Sequence, residues 1–292
     1  MTDEKNLISA VILTYNEEKN IPACLESLTP LSAEIFVVDS GSGDGTVLIA
    51  KKYTSKIYTH PFETHAKQWN WALQNLPVSG EWVLALDADQ RLTPELAKEI
   101  QEMLENPPNG IGGFYLPRRQ IFRGQWIRYG GYYPKYLLKL FKQGKVRCDE
   151  NELLDFRFYV KGNTTKLRSD LIEDNLNEKD LRFWTAKHTR FAKLQAQEEL
   201  LRRRNGVGWS IQPSLFGTPD QRTLWMKQLW YRLPLFLRPF LYFFYRYFIR
   251  LGFLDGTQGL IFHFYQGFWY RMLVDINLYK LRKASAHDPA RR

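Results

Sequence analysis

Two carboxylates, Asp87 and Asp89, close a short apolar run at residues 82–89. Its composition is that of a buried strand, and a strand end lies at the lip of an α/β sheet, where such sheets bind ligands. Side chains at i and i+2 of an extended chain point the same way, so the two carboxylates converge on one place. Two hard oxygen ligands there suit Mg2+ or Mn2+ carrying a substrate diphosphate. The pair also suits a plain turn leading into the helix that Thr93-Pro94-Glu95 begins.

Other groups with chemistry precede and follow this pair. The strand at residues 7–14 runs into Thr14-Tyr15-Asn16-Glu17-Glu18. A loop there sets Tyr15 against a base or ribose and aims Glu17 at the pocket, while Asn16 equally suits a helix N-cap with acid in the first turn. The strand at 34–38 closes at Asp39, ahead of Gly41, Gly43 and Gly45. This is neither the GxGxxG dinucleotide fingerprint nor a P-loop, which needs a lysine. Asp39 can accept from a base or ribose hydroxyls while the glycines allow close approach, though turn chemistry alone accounts for them too. Lys67 and Asn70 share a helical face and suit phosphate and sugar oxygens respectively, although an exposed lysine is also satisfied by water.

The elements that must hold these residues alternate in the βα manner over about the first 115 positions. Strands are expected at 7–14, 34–38, 56–59 and 82–86, with helices at 17–28, 46–53 and 65–74. Apolar strands between helices point to a Rossmann-like, mostly parallel sheet covered on both faces, with all strand-to-helix loops at one edge. Residues 106–113 break the pattern. Strand-like pieces follow at 113–117 and 137–141, then a polar helix at 179–204. A Gly/Ser/Pro-rich linker at 206–220 separates a basic, aromatic tail at 221–292.

Taken together, these elements resemble the family 2 glycosyltransferases of the GT-A fold. The matching residues are Leu13-Thr14-Tyr15-Asn16-Glu17-Glu18, Val37-Val38-Asp39-Ser40-Gly41-Ser42-Gly43-Asp44-Gly45-Thr46 and Leu86-Asp87-Ala88-Asp89. The resemblance implies that Asp39 and Asp87 contact the nucleoside, that Asp89 ligates a divalent metal on the diphosphate, and that a nucleotide-sugar is the donor of an inverting transfer. Pro117-Arg118-Arg119, Gly130-Gly131-Tyr132-Tyr133-Pro134, Leu140-Phe141-Lys142 and Asp149-Glu150-Asn151 are similar to the polysaccharide and lipopolysaccharide-core branch. An inverting transfer needs a base for the acceptor hydroxyl; Glu150 is the candidate and Asp149 its rival, with Asn151 where family members often carry His. Lys187-His188-Thr189-Arg190 also resembles this branch. Arg118, Arg119, His188 and Arg190 are accordingly assigned to acceptor phosphates.

The chain of 292 residues carries a net charge of +10 that is unevenly spread. Residues 1–100 hold 8 basic against 14 acidic side chains, whereas 221–292 hold 12 against 3. Positions 225–279 contain 19 aromatic residues interleaved with Arg232, Arg238, Arg246, Arg250 and Arg271. That mixture suits helices lying in a bilayer interface, and an ordinary aromatic core is the other reading. The longest charge-free stretch in the later tail, 256–270, is too short and polar to span a bilayer. No RNA- or DNA-binding module accompanies the basic residues, so nucleic acid is not an expected partner. Cys24 and Cys148 form no metal or disulfide pattern, and the N-terminus has no signal-peptide pattern.

The expected organisation is thus a GT-A domain at 1–205, comprising a nucleotide-sugar half (1–115) and an acceptor half (116–205), the linker, and a membrane-associating tail. The expected reaction is a metal-dependent transfer from a nucleotide-sugar, UDP-linked by preference, to a lipid-linked (polyprenyl diphosphate) or polysaccharide acceptor. The expected location is the cytoplasmic face of a cell membrane. A nucleotidyltransferase or an inactive scaffold for membrane or polyanion are the alternatives. The acidic loop after the first strand argues against the former, and intact Asp87, Asp89 and Glu150 against the latter.

Overall fold

The computed structural model describes residues 7–204 and 208–286. Apolar strands β1 (Ile8–Thr14), β2 (Glu34–Asp39), β3 (Ile57–Thr59) and β4 (Trp82–Asp87) form a parallel sheet in the order β3-β2-β1-β4. Alternate residues of β1 serve two cores. Ile8, Ala10 and Ile12 pack with α1 (Ile21–Ser27) and α4 (Pro94–Glu105); Val11 and Leu13 pack with α3 (His65–Asn75). Helices therefore cover both faces.

Beyond β4 parallel and antiparallel pairs mix. The added strands are β5 (Gln90–Leu92), β6 (Ile111–Phe122), β8 (Lys135–Lys142) and β12 (Leu171–Glu173). They continue the order as β8-β6-β12-β5, with β4–β8, β8–β6 and β12–β5 antiparallel and β6–β12 parallel. Short strands β7 (Gln125–Trp126) and β11 (Asn163–Lys166) pair with β6, while β9 (Val146–Cys148) and β10 (Phe158–Val160) form a separate hairpin. The sheet is mixed because β8 returns antiparallel to β6, whereas β11 and β12 reach β6 in parallel after longer connections.

Several boundaries differ from expectation. The first helix begins at Ile21, because Asn16 adopts φ 55 in a left-handed turn and does not cap it. Asp89 leads directly into β5, and the helix-starting turn lies further on, where the Thr93 side chain accepts from the Leu96 amide.

The polar helix α5 (Leu181–Arg204) lies along α9 (Tyr270–Ala286), with Ala192 and Ala196 against Tyr270, Val274 and Leu278. Between them come α6 (Pro219–Arg232), α7 (Arg238–Phe244) and α8 (Gly256–Phe262), with π-helical turns at Tyr245–Ile249 and His263–Trp269. The Arg238 guanidinium is fully buried between Glu199 of α5 and Asp275 of α9, at 2.9 and 2.5 Å. Asp255 accepts from the Arg128 and Tyr129 amides at 3.0 Å each. The tail is therefore bolted to the sheet by buried charge as well as by apolar packing. Of the linker expected at 206–220, positions 206 and 207 lie outside the described residues. Among the described residues, no helix is long and apolar enough to cross a membrane.

Candidate active site

Parallel register brings three strand ends together. Thr14 pairs with Asp39 and Leu13 with Asp87, so the loops after β1, β2 and β4 open at one edge. The first two loops are tied to each other. The Asn16 amide donates to Ser42 Oγ and the Gly43 amide to Asn16 Oδ1, both at 2.8 Å; the Glu17 amide donates to Thr46 Oγ1 at 2.8 Å and the Gly45 amide to Glu18 Oε2 at 3.0 Å. Gly41, at φ 89, makes the turn that lets this clasp close. Tyr15 projects from it, 58% exposed, and Thr14 Oγ1 is buried without a hydrogen-bond partner.

Asp39 is buried, and its carboxylate accepts from the Gly41 and Ser42 amides at 2.9 Å and from Ser42 Oγ at 2.5 Å. Its first role is to shape its own loop. Lys67 is half-exposed and ion-paired with Glu63 one helical turn earlier, so the cation expected for phosphate is engaged elsewhere.

Glu17, Asp87, Asp89 and Glu173 crowd one place, with Lys139 and Lys187 among them. Lys139 Nζ donates to Asp87 Oδ2 at 2.9 Å. Burial alone would raise the Asp87 carboxyl, but Lys139, with His65 and Lys187 behind it, outweighs burial and holds Asp87 below the usual carboxylate range. Asp89 goes the opposite way: burial and the Glu173 carboxylate push it well above its ordinary value. Burial likewise raises Glu17, which accepts from Asn20 Nδ2 at 2.5 Å. Asn175 Nδ2 donates to Asp89 Oδ2 at 3.0 Å, and Arg118 donates to Glu173 at 2.8 Å. Lys187 reaches back to Glu178 at 2.8 Å.

Among the described residues no three His, Cys, Asp or Glu side chains are grouped to hold a metal. Asp89 offers one carboxylate in a region of excess negative charge. That donor set fits Mg2+ or Mn2+ held mainly by substrate phosphates and water, because such ions commonly take only one or two protein carboxylates.

A second group faces α3. Asn70 accepts from the Cys148 amide at 2.9 Å and donates to Glu150 Oε1 at 3.0 Å, tying the loop after β9 to the helix. Glu150 is exposed. Asp149 is buried, accepts from the Asn151 amide at 3.0 Å and faces Arg202 at 3.7 Å, so it braces the loop. Asn70 is thus a partner of the Glu150 loop as well as a helix-face amide.

The acceptor set drawn from sequence does not assemble. Arg118 and Arg119 are adjacent on β6 and point to opposite faces; they pair with Glu173 and Asp170 respectively. His188 stacks on Trp184 with ring centroids 3.5 Å apart, and Nδ1 meets the Trp184 carbonyl at 2.9 Å. Burial lowers its pKa to about 4, so it is a neutral packing residue and not a phosphate cation. Arg190, two residues on, is exposed.

Sequence reasoning passed over Lys139, His65, Asn20 and Asn175. A lysine inside the apolar run Leu137-Leu138-Lys139-Leu140-Phe141 was the available signal, since buried lysines are rare unless paired. Asn20 and Asn175 carried none, as they meet only through the fold.

The glycosyl transferase family 2 model matches residues 9–162, more than half of the chain. The chain belongs to glycosyltransferase family 2. Its helices on both faces of a mixed sheet are the expected GT-A architecture. It is 31% identical over 172 residues to the lipopolysaccharide core biosynthesis glycosyltransferase LpsC of Rhizobium meliloti, covering 56% of this chain and 60% of that protein. It is 39% identical to an uncharacterised glycosyltransferase of Rickettsia conorii over 32% of this chain and 33% of that one. The chain therefore matches less than two thirds of these relatives' length. Among solved structures, glucosyl-3-phosphoglycerate synthase from Mycobacterium tuberculosis with Mn2+ and UDP-glucose is 25% identical, covering 40% of this chain and 44% of that one at a TM-score of 0.32. TarS of S. aureus is 14% identical, covering 92% and 55% at a TM-score of 0.44.

Proposed function

We propose that this glycosyltransferase moves a sugar from a nucleotide-sugar, UDP-linked by preference, to a lipid-linked envelope glycan at a membrane surface. The observation that carries the reading is the pair of oppositely tuned carboxylates at one strand end. Asp87 is kept ionised by Lys139, and Asp89 stands in surplus negative charge. Tyr15 stacks on the base, the clasped loops carrying Glu17 and Asp39 line the nucleoside, and Asp89 would hold the metal. A divalent ion there neutralises charge on the departing diphosphate.

Glu150 is the proposed base, because it is the exposed carboxylate of its loop and Asn70 orients it. It takes the acceptor hydroxyl's proton as that oxygen attacks the anomeric carbon, which inverts the centre.

The membrane reading is supported by an exposed apolar surface on consecutive tail elements. Phe240, Phe244, Phe248, Ile249, Leu254 and Leu260 are each 44–60% exposed. Large apolar side chains left exposed on consecutive elements suit an interaction surface. The inner face of a cell membrane is the proposed location.

The test is turnover of the purified chain with UDP-, GDP- and dTDP-sugars, with and without Mn2+, in detergent and on vesicles. Nucleoside diphosphate release that depends on Mn2+ and prefers UDP-sugars is expected. Equal release with EDTA removes the metal assignment, and preference for another nucleotide removes the UDP assignment.

A further inference from the structure

Arginines of the tail meet two different fates. Arg238 is saturated by two carboxylates. Arg246 and Arg271 have none: among the described residues neither forms an ion pair, and the Nε of each is buried without a hydrogen-bond partner. They are held by rings instead. The Arg246 guanidinium lies 3.9 Å from the Tyr132 ring and donates to the Tyr242 hydroxyl at 2.6 Å. Arg271 lies 5.3 Å from the same Tyr242 ring and 5.8 Å from Trp230. Rings orient a guanidinium and leave its N–H fork free for an anion.

Burial would raise the Tyr242 hydroxyl, yet Arg246 and Arg271 together outweigh it and hold it below its usual value. Asp155 acts on Arg271 from a distance and is itself ion-paired with Lys227. A cation with a buried N–H costs free energy unless something neutralises it. Among the described residues no carboxylate pairs directly with Arg246 or Arg271, and each keeps a buried Nε without a partner.

We propose that Arg246 and Arg271 bind a phosphate ester. Arg246 belongs to the turn whose Phe244, Phe248 and Ile249 are exposed, so the anion site adjoins the apolar surface. A ligand with a phosphoryl group next to an apolar anchor satisfies both. The choice of a membrane-anchored ligand rests on the function proposed above; the anion site itself does not. The phosphate source is either a bilayer headgroup or the acceptor glycan.

The experiment uses the full chain in EDTA, titrated with inorganic phosphate against chloride at matched ionic strength and read by thermal shift. Wild type is expected to show a saturable rise in Tm. Arg246→Gln/Arg271→Gln weakens the apparent affinity at least 10-fold, and Arg246→Lys/Arg271→Lys falls between. Arg222→Gln/Arg232→Gln, at two exposed positions, removes equal charge without effect. Affinity unchanged in the Arg246→Gln/Arg271→Gln variant, or equally lost in the Arg222→Gln/Arg232→Gln control, overturns the site. Where the glutamine variant fails to fold, the lysine variant decides, and wild-type affinity in it overturns the site.

A second arm pellets each protein with phosphatidylcholine vesicles, with and without phosphatidate. If the double variant loses only the phosphatidate-dependent increment, the anion is a lipid headgroup. If that increment persists while the response to free phosphate is lost, the anion is the acceptor's. Donor turnover is measured separately, so its absence leaves the phosphate result standing.

Discussion

Lys139→Met removes the ammonium that faces Asp87 and keeps most of the side-chain stem. The ion pair spans 2.9 Å, with Lys139 5% and Asp87 30% exposed. Breaking a fully buried pair costs about 3–5 kcal/mol; solvent at Asp87 reduces this to roughly 2–3 kcal/mol. For a chain of this size that corresponds to a fall in Tm of about 5–10 °C. Asp87→Asn strands the ammonium instead and costs a similar amount. The double variant removes both charges, so the cycle should return a coupling of about 2 kcal/mol by urea denaturation. Because the folded-state pKa of Asp87 is depressed, its contribution is present above the ordinary carboxylate pKa and is lost as pH falls through the lower folded value. The coupling is therefore equal at pH 7 and pH 5. Additive single effects, or a coupling that halves between these pH values, would refute the pairing.

Asp89 has the reverse sign, since burial and Glu173 raise its folded pKa. Asp89→Asn should raise Tm at pH 7.5 in EDTA, with the gain shrinking as pH falls toward 4, and should abolish Mn2+-dependent donor turnover. A variant less stable than wild type at pH 7.5 contradicts the crowding. Glu150→Gln should bind donor normally and lose at least 100-fold in transfer rate; normal transfer means another base. Phe244→Asp/Phe248→Asp should reduce liposome pelleting several-fold with Tm within about 2 °C of wild type, as both side chains are half-exposed. Arg238→Met leaves Asp275 buried without its cation, while Glu199 keeps Arg203, and should cost about 3–5 kcal/mol by denaturant midpoint. Deleting 221–292 is a poor test of membrane binding, because it strips one of two cations from Glu199 and the α9 packing from α5.

The donor half was legible because its signals are local. Apolar strands ending at Thr14, Asp39 and Asp87 obey the period and punctuation of a βα repeat, and parallel register does the rest. Beyond residue 110 the elements are short strands whose pairing is set by long-range return. Leu171–Glu173, three residues between loops, offers no period to read. The residues expected to meet acceptor phosphates lie apart for a related reason. Arg118, Arg119 and His188 had suitable chemistry, but their partners Glu173, Asp170 and Trp184 are fixed by tertiary packing. Asp149 and Glu150 were inseparable in sequence; the structure turns one inward to Arg202 and the other outward to Asn70.

The clasp between the first two strand-end loops has a thermodynamic consequence. Ordering a loop residue costs about 1–2 kcal/mol, and residues 16–18 and 42–46 meet that cost during folding through hydrogen bonds to one another. A nucleotide arriving at this edge finds the loops already set, so little of its contact energy is spent on making them rigid. The amides of Asn16, Glu17, Gly43 and Gly45 should then exchange with solvent at the same slow rate whether the nucleotide is present or absent.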